Sequence, residues 1–197
     1  MTSIKIGVTG TYCSGKDSFA DYVLNKGFEH LSLSDILRDE LRSRGLEVNR
    51  ENLINLGNEL REKEGADSLA VRAAEKMKNE KSYIITSIRN PLEVKKLSAL
   101  KNFILINIDA PIKERFKRLI AREDIRKEDK ANLTFEKFVE SECKEMESKE
   151  EHSQKIKNCV EMAKLTIVND GRLEDFHKRI DDMIPKIEEI ASCVRPG

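Results

Sequence analysis

The segment Gly10 to Lys16 reads G-T-Y-C-S-G-K and directly follows the apolar alternation Ile4, Ile6, Val8. Glycine at both ends lets the backbone turn so that successive N–H groups point into one concavity, a shape suited to an anion. A helix beginning near Lys16 adds the positive end of its dipole. The lysine supplies a mobile charge for the β- and γ-phosphates of a nucleotide. Gly10, Thr11, Tyr12, Cys13, Ser14, Gly15 and Lys16 are therefore the expected phosphate cradle. Asp17 stands where this pattern carries Ser or Thr, and Ser18 comes one position late. A carboxylate at Asp17 is a hard ligand able to hold Mg2+ directly or through water, so Asp17 and Ser18 are the candidate metal-binding residues. Without a metal between them, Asp17 and the phosphates would repel each other.

Phosphoryl transfer asks for positioning and charge compensation more than for covalent chemistry. Arginine forks meet that need by binding phosphate oxygens bidentately. Arg38 lies one helical turn beyond Ser34-Asp35, and Arg89 follows the apolar run Tyr83 to Ile88. Both read as functional because each comes just after a candidate strand. Arg115, Arg118 and Arg122 recur at spacings of three and four on one helical face, and at least one of them is expected to reach phosphate. Arg126, in A-R-E-D-I-R-K-E-D-K, a segment with the polarity of a mobile flap, reads equally as a functional group or a solvated charge. Arg61, in N-E-L-R-E-K-E-G, reads as a solvated helix face. Asp35 and Asp109 are further candidates as metal or base groups; for Asp109, in N-I-D-A-P, capping of the next helix is an equal reading.

Composition narrows the classes. The 197 residues suit one domain with a substantial core and a small insertion. Lys plus Arg and Asp plus Glu number 36 each, so no overall basic field recruits nucleic acid. A nucleic-acid polymer and a membrane are not expected as partners, and no apolar stretch approaches the ~20 residues that span a bilayer. The N-terminus runs straight into a strand without a signal-peptide pattern, and a cytoplasmic protein is expected. Cys13, Cys143, Cys159 and Cys193 form no C-x-x-C pair, which argues against zinc or a disulfide framework. Cys13 reads as a small residue that fits its loop rather than as a thiol of depressed acidity. His30, His152 and His177 share no metal-ligand spacing and read as surface or partly buried residues.

These groups must be positioned by elements that alternate almost end to end. Strands are expected at 4–9, 28–33, 83–88, 103–108 and 165–168. Helices are expected at 16–25, 35–44 with Ser34 as N-cap, 49–64 capped by Asn49, 68–79, 91–100 opened by Pro91, and onward to Arg122. Thr134 is a possible cap for the helical stretch that continues through Ala163 with a break near Ser148, and a closing helix runs from Leu173 to Ser192 with a bend at Pro185. Strands joined by helices imply a parallel sheet covered on both faces. Ligands gather beyond the carboxyl ends of such strands. The loop at Gly10, Ser34-Asp35, Ser87-Ile88-Arg89 and Asp109-Ala110 should therefore surround one crevice.

Together these residues resemble the nucleoside monophosphate kinase and dephospho-CoA kinase group of P-loop proteins. Ser34-Asp35-Ile36-Leu37-Arg38 is similar to the G-D-x-L-R acceptor segment of adenylate kinases, with Ser34 in place of its glycine. Arg89 in S-I-R-N-P-L-E-V resembles the arginine of the D-G-x-x-R segment that contacts the acceptor phosphate. Ile108-Asp109-Ala110-Pro111, with Arg115-Phe116 through Arg122, resembles the strand and lid-leading helix of dephospho-CoA kinases. Asn169-Asp170-Gly171 resembles the late loop near the donor's adenine. G-T-Y-C-S-G-K-D and the later G-F-E-H-L-S-L-S are similar to the P-loop domain of fungal deoxycytidylate deaminases, and G-K-D-S to the G-K-D-T of phage deoxynucleoside monophosphate kinases. No H-x-E or P-C-x-x-C is present, so zinc deaminase chemistry is absent.

The resemblance implies a three-layer α/β P-loop NTPase fold with a five-stranded parallel sheet, a helical acceptor-binding insertion and a short lid. It divides the chain into a core (1–34, 81–121, 164–197), an acceptor region (35–80) and a lid with following helices (122–163). It implies ATP and Mg2+ as cofactors. Lys16, Arg89, Arg118 and Arg122 become the catalytic set; Ser34, Asp35, Arg38 and Arg89 bind the acceptor; Asn169 and Gly171 join the phosphate loop, Asp17 and Ser18 in binding the donor. One departure is Thr86-Ser87, where the group has an Asp-Gly pair. The leading expectation is an ATP-dependent kinase for a nucleoside or deoxynucleoside monophosphate, followed by a dephospho-CoA kinase. A nucleotide-binding sensor or scaffold with little turnover is the competing class, and the assembly is expected to be a monomer or homodimer. A nucleic-acid binder has only the basic stretch between Lys113 and Lys130 in its favour.

Overall fold

The computed structural model describes residues 3–122, 133–146 and 155–193. Arg126 and His152, and most of the lid expected between Arg122 and Thr134, lie outside them. Among the described residues five strands form one sheet: β1 (Lys5–Thr9), β2 (Glu29–Ser32), β3 (Tyr83–Thr86), β4 (Phe103–Asp109) and β5 (Leu165–Val168). Their order is β2-β3-β1-β4-β5, and every neighbouring pair is parallel. The helices are α1 (Lys16–Leu24), α2 (Leu33–Ser43), α3 (Arg50–Glu64), α4 (Ser68–Lys76), α5 (Pro91–Ser98), α6 (Ile112–Ala121), α7 (Phe135–Met146), α8 (Ile156–Met162) and α9 (Leu173–Cys193). This is the helix-covered parallel sheet that the alternation of elements predicts and the five-stranded α/β P-loop fold that the resemblance implies.

Strand side chains alternate between the two faces, and each face has its own core. Ile6, Val8, Ile84, Ile104 and Ile106 point toward Phe19 and Val23 of α1 and Phe176 and Ile180 of α9. Ile85, Phe103 and Leu105 point the other way, toward Leu37 of α2, Leu60 of α3, Leu69 of α4 and Val94 and Leu97 of α5. In central β1, Gly7 leaves room for Phe103, whose ring a Cβ at this position would meet at 2.7 Å.

The two faces matter for function. After β1 the chain crosses to the α1 side, and after the adjacent β3 it crosses to the α5 side. Adjacent parallel strands whose connections leave on opposite faces open a crevice at their carboxyl ends. The glycine-rich loop follows β1, and Arg89 follows β3.

Element ends differ in detail from the sequence reading. Ser34 does not cap the second helix. That helix begins at Leu33 with Ser32 in the cap position, leaving Ser34 in its first turn. Leu33 is fully buried, so packing draws the helix start back by two residues. Asn49 caps α3 as expected, accepting from the Asn52 N–H at 2.8 Å. Thr134 accepts from the Lys137 N–H at 3.3 Å. Pro185 lies inside α9, and α4 ends at Lys76 rather than Asn79. No helix among the described residues is long and apolar enough to cross a membrane.

Candidate functional site

The loop between β1 and α1 is a tight cradle. Gly10 (φ 139°), Cys13 (φ 59°) and Gly15 (φ 103°) all have positive φ. A Cβ on Gly10 would collide with the backbone oxygen of Ile108, and one on Gly15 with the side-chain amide of Asn169. Both positions therefore need glycine for space as well as conformation. The hydroxyls of Thr11 and Ser14 are buried without a protein partner, polar groups of the kind an anionic ligand would engage. These features suit the phosphates of a nucleotide.

Lys16 opens α1. Its ammonium donates to the Thr11 carbonyl at 2.6 Å. Burial, helped by the charge of Arg89, lowers its pKa from 10.5 to about 8, while Asp17 pulls in the opposite direction. Because β1 and β3 are adjacent and parallel, the β1 loop and the end of β3 open onto one crevice. Asp17 is exposed and Ser18 half-buried, both in the first turn of α1. Among the described residues no group of three or more His, Cys, Asp and Glu side chains gathers to hold a metal. Magnesium needs none, since it typically takes one or two carboxylates together with substrate phosphates and water. Asp17 and Ser18 suit that arrangement in position and chemistry.

The three arginines of α6 and its end do different things. Arg115 is buried and fully engaged: it donates to Ala110 O at 2.9 Å and Tyr12 O at 3.2 Å, and pairs with Glu142 of α7 at 2.5 Å. It braces the loop from below. Arg118 reaches the late loop, donating to Asn169 O at 2.8 Å and Asn169 Oδ1 at 3.0 Å, with longer contacts to Cys13 O and Ser14 O. Arg122 is exposed at the end of α6, 6.0 Å from the centre of the Tyr12 ring. Its charge lowers the Cys13 pKa, but burial outweighs it and the thiol is pushed up, so Cys13 is not an acidified thiol. Asn169 is buried and Gly171 exposed. Gly171 is not among the positive-φ glycines of the described residues. Asp109 is exposed, and its backbone oxygen accepts from the Asn169 N–H at 2.7 Å. The helix after it has Pro111 in the cap position with no side-chain cap bond, so Asp109 is not its cap.

On the β2 and β3 side, hydroxyls and one arginine gather. Ser32 lies 2.8 Å from Ser34 and 2.9 Å from Ser87, oxygen to oxygen. Arg38 donates to Ser34 at 2.8 Å and to the Asp35 carboxylate at 2.7 Å. Ser87 has φ 64°, the left-handed backbone that a glycine there would adopt readily. The His30 ring bonds the Thr86 hydroxyl at 2.7 Å.

Sequence reasoning misread Arg61. It is buried, and its guanidinium donates to Glu93 Oε1 at 3.1 Å. The solvated-face reading fails because the partner lies across the fold, on α5. One signal for Glu93 was legible: Asn90, Pro91 and Glu93 spell a capping box with proline at the first helical position, and the structure contains it.

Comparison with known proteins agrees with this architecture. A family model described as an AAA domain matches residues 6–138. A UPF0200/UPF0201 protein of Archaeoglobus fulgidus is 33% identical over 188 residues, covering 92% of this chain; the chain spans only 55% of that protein's length. A UPF0200 protein of Thermoplasma acidophilum is 32% identical over 193 residues, covering 96% of this chain and 99% of that protein. Among solved structures, shikimate kinase from Bacteroides thetaiotaomicron superposes with a TM-score of 0.61 at 12% identity, covering 92% of this chain and 98% of that one. Dephospho-CoA kinase from Campylobacter jejuni gives a TM-score of 0.50 at 16% identity, covering 95% and 98%. At such identities the likeness is one of fold. The chain belongs to the UPF0200 family, with an AAA domain over residues 6–138.

Proposed function

We propose that this protein is an ATP-dependent phosphotransferase acting on a small nucleotide acceptor, a nucleoside or deoxynucleoside monophosphate. One observation carries the reading: the glycine-framed loop with the unpartnered buried hydroxyls of Thr11 and Ser14 follows β1, and Arg89 follows the adjacent parallel β3, so Lys16 and Arg89 come from the carboxyl ends of neighbouring strands. Two cations brought together at a switch point create a site for an anion that bridges them.

In this reading the N–H groups of residues 10–16 and the α1 dipole hold the donor phosphates, and Lys16 neutralises them. Asp17 and Ser18 would hold Mg2+, which would supply charge neutralisation for the phosphates. Arg89 and Arg38 hold the acceptor's phosphate. Arg118, with Asn169, fixes the loop where the donor's base lies, and Arg122 offers a further charge. The serine cluster around Ser34 supplies hydroxyl partners near Arg38.

The test is incubation with Mg-ATP and a panel of nucleoside monophosphates, deoxynucleoside monophosphates and dephospho-CoA, with product identification. A phosphorylated nucleoside monophosphate is expected. Phosphorylated dephospho-CoA would move the assignment to that kinase, whose solved Campylobacter example shares the fold. ATP binding without any product would replace the kinase by a nucleotide-binding sensor, a reading favoured by Thr86-Ser87 at a strand end where kinases of this group carry an acid.

A further inference from the structure

The best-buried charged pair among the described residues serves no role in the account above. Glu93 is fully buried and Arg61 nearly so. Both carboxylate oxygens of Glu93 are used: Oε1 accepts from Arg61, and Oε2 accepts from the backbone N–H groups of Arg89 at 2.9 Å and Asn90 at 3.1 Å. The Arg89 carbonyl accepts from the Lys155 N–H, at the start of α8, at 2.7 Å. Arg89 is thus tied on both sides of its α-carbon. Its neighbour Ile88 is buried, and Ser87 before that is held at positive φ.

Of Glu93, a capping box needs only that its carboxylate accept from the Asn90 N–H. It does not require burial, a second N–H or an arginine from another element. Burying an ion pair is a poor way to gain stability, since desolvation offsets most of the attraction. What this pair fixes is conformation. Gly57, one turn before Arg61 on α3, makes room for it: a Cβ there would lie 3.1 Å from the Arg61 Nη1. Burial pushes the Glu93 carboxyl up, while Arg61 and the two N–H groups pull it back. Cys159 of α8 senses the Glu93 charge, and its thiol, pushed up to about 12 chiefly by burial, stays neutral there.

We propose that Glu93, held by Arg61, is the positioning residue for Arg89: it clamps the peptide units around Arg89 so that the guanidinium is aimed at the acceptor's phosphate. This rests on the acceptor role given to Arg89 above. Arg61 belongs to the helices expected to seat the acceptor, so their packing is tied to the arginine that reads its phosphate.

The test uses the full chain with Arg61→Met/Glu93→Leu, which replaces the pair by apolar groups, and Glu93→Gln and Arg61→Lys as milder variants should the double variant fail to fold. Melting temperature and ATP affinity verify the fold and the donor side. Expected in a folded Glu93 variant is ATP affinity within twofold of wild type and transfer at least tenfold lower. Adding Arg89→Ala should cost less than a further threefold, since both changes remove one function, and Arg61→Lys should recover part of the activity. Transfer within threefold of wild type, or losses that multiply in full with those of Arg89→Ala, would overturn the proposal.

A second readout needs no turnover. With a non-hydrolysable ATP analogue bound, inorganic phosphate should shift the Arg89 Nε–H resonance in wild type and not in the folded Glu93 variant. Should wild type transfer nothing yet show this Glu93-dependent shift, the positioning role stands and the kinase reading falls. Should it transfer indifferently to Glu93, the reverse holds. No transfer and no shift in wild type would sink both.

Discussion

Arg118 holds Asn169 twice, through its backbone oxygen at 2.8 Å and its side-chain oxygen at 3.0 Å, while the Asn169 amide donates to Ser14 O at 2.9 Å. Three segments far apart in sequence meet there: the phosphate loop, α6 and the turn after β5. The orientation of the Asn169 amide is set by this network, with oxygen toward the guanidinium and nitrogen toward the carbonyl. Asn169 thereby fixes the end of the loop, at Ser14 and Gly15, where α1 begins.

Asn169→Ala should therefore loosen the loop as well as the late turn. It takes the amide's bond from the Ser14 carbonyl, leaving that oxygen the longer Arg118 contact, and removes one of the guanidinium's acceptors, at a cost of about 1–3 kcal/mol. Urea unfolding measures this, and ATP affinity should fall alongside. Unchanged stability and affinity would show that the network does not hold the site.

The two loop glycines should differ under substitution. Gly10→Ala puts a methyl group against the Ile108 backbone, which cannot move without β4, and does so at φ 139°. A loss of about 2–4 kcal/mol is expected. Gly15→Ala meets a side-chain amide, so Asn169→Ala should relieve part of its cost and the pair should be less than additive. Full additivity in chemical denaturation would contradict the contact.

Lys16 makes binding pH-dependent in a stated direction. Its pKa is about 8 in the folded protein against an ordinary 10.5. Between those values the folded protein holds fewer protons than the unfolded chain, so this group's contribution to stability rises with pH across that window. Polyphosphate beside the ammonium favours its charged form, so nucleotide binding takes up protons above the Lys16 pKa and weakens as pH rises further. Calorimetry in buffers of different ionisation enthalpy reads that uptake, which Lys16→Met should remove. Lys16→Ala should abolish transfer; survival within threefold, about 0.7 kcal/mol, would disprove its phosphate role.

As the proposed metal ligand, Asp17 should tie activity to Mg2+. Transfer should stop in EDTA and return with Mg2+. Asp17→Ala should raise the Mg2+ requirement about tenfold, on the order of 1.4 kcal/mol, and Asp17→Ser should recover much of it. A rate indifferent to EDTA would remove Asp17 from the metal site.

The cradle at Gly10 to Lys16 was legible in the sequence because its chemistry is local: glycines for the turn, N–H groups from the backbone, a lysine at the helix start. The strands were legible for the same reason, since alternation of apolar residues reports burial directly. Which arginines face the crevice was not. Arg115, Arg118 and Arg122 share one helical periodicity, yet one is a buried brace, one ties the late loop and one is exposed at the helix end. Ser34 looked like a cap until the burial of Leu33 drew the helix start back.

Arg61 looked solvated because its own helix is highly charged, and its partner Glu93 lies 32 residues away on another element. Periodicity states which face of a helix a charge occupies, but not what covers that face. The sequence alone determined the glycine-framed loop from Gly10 to Lys16. Only the packing of α3 against the start of α5 decided that a buried ion pair holds the arginine on the other side of the crevice.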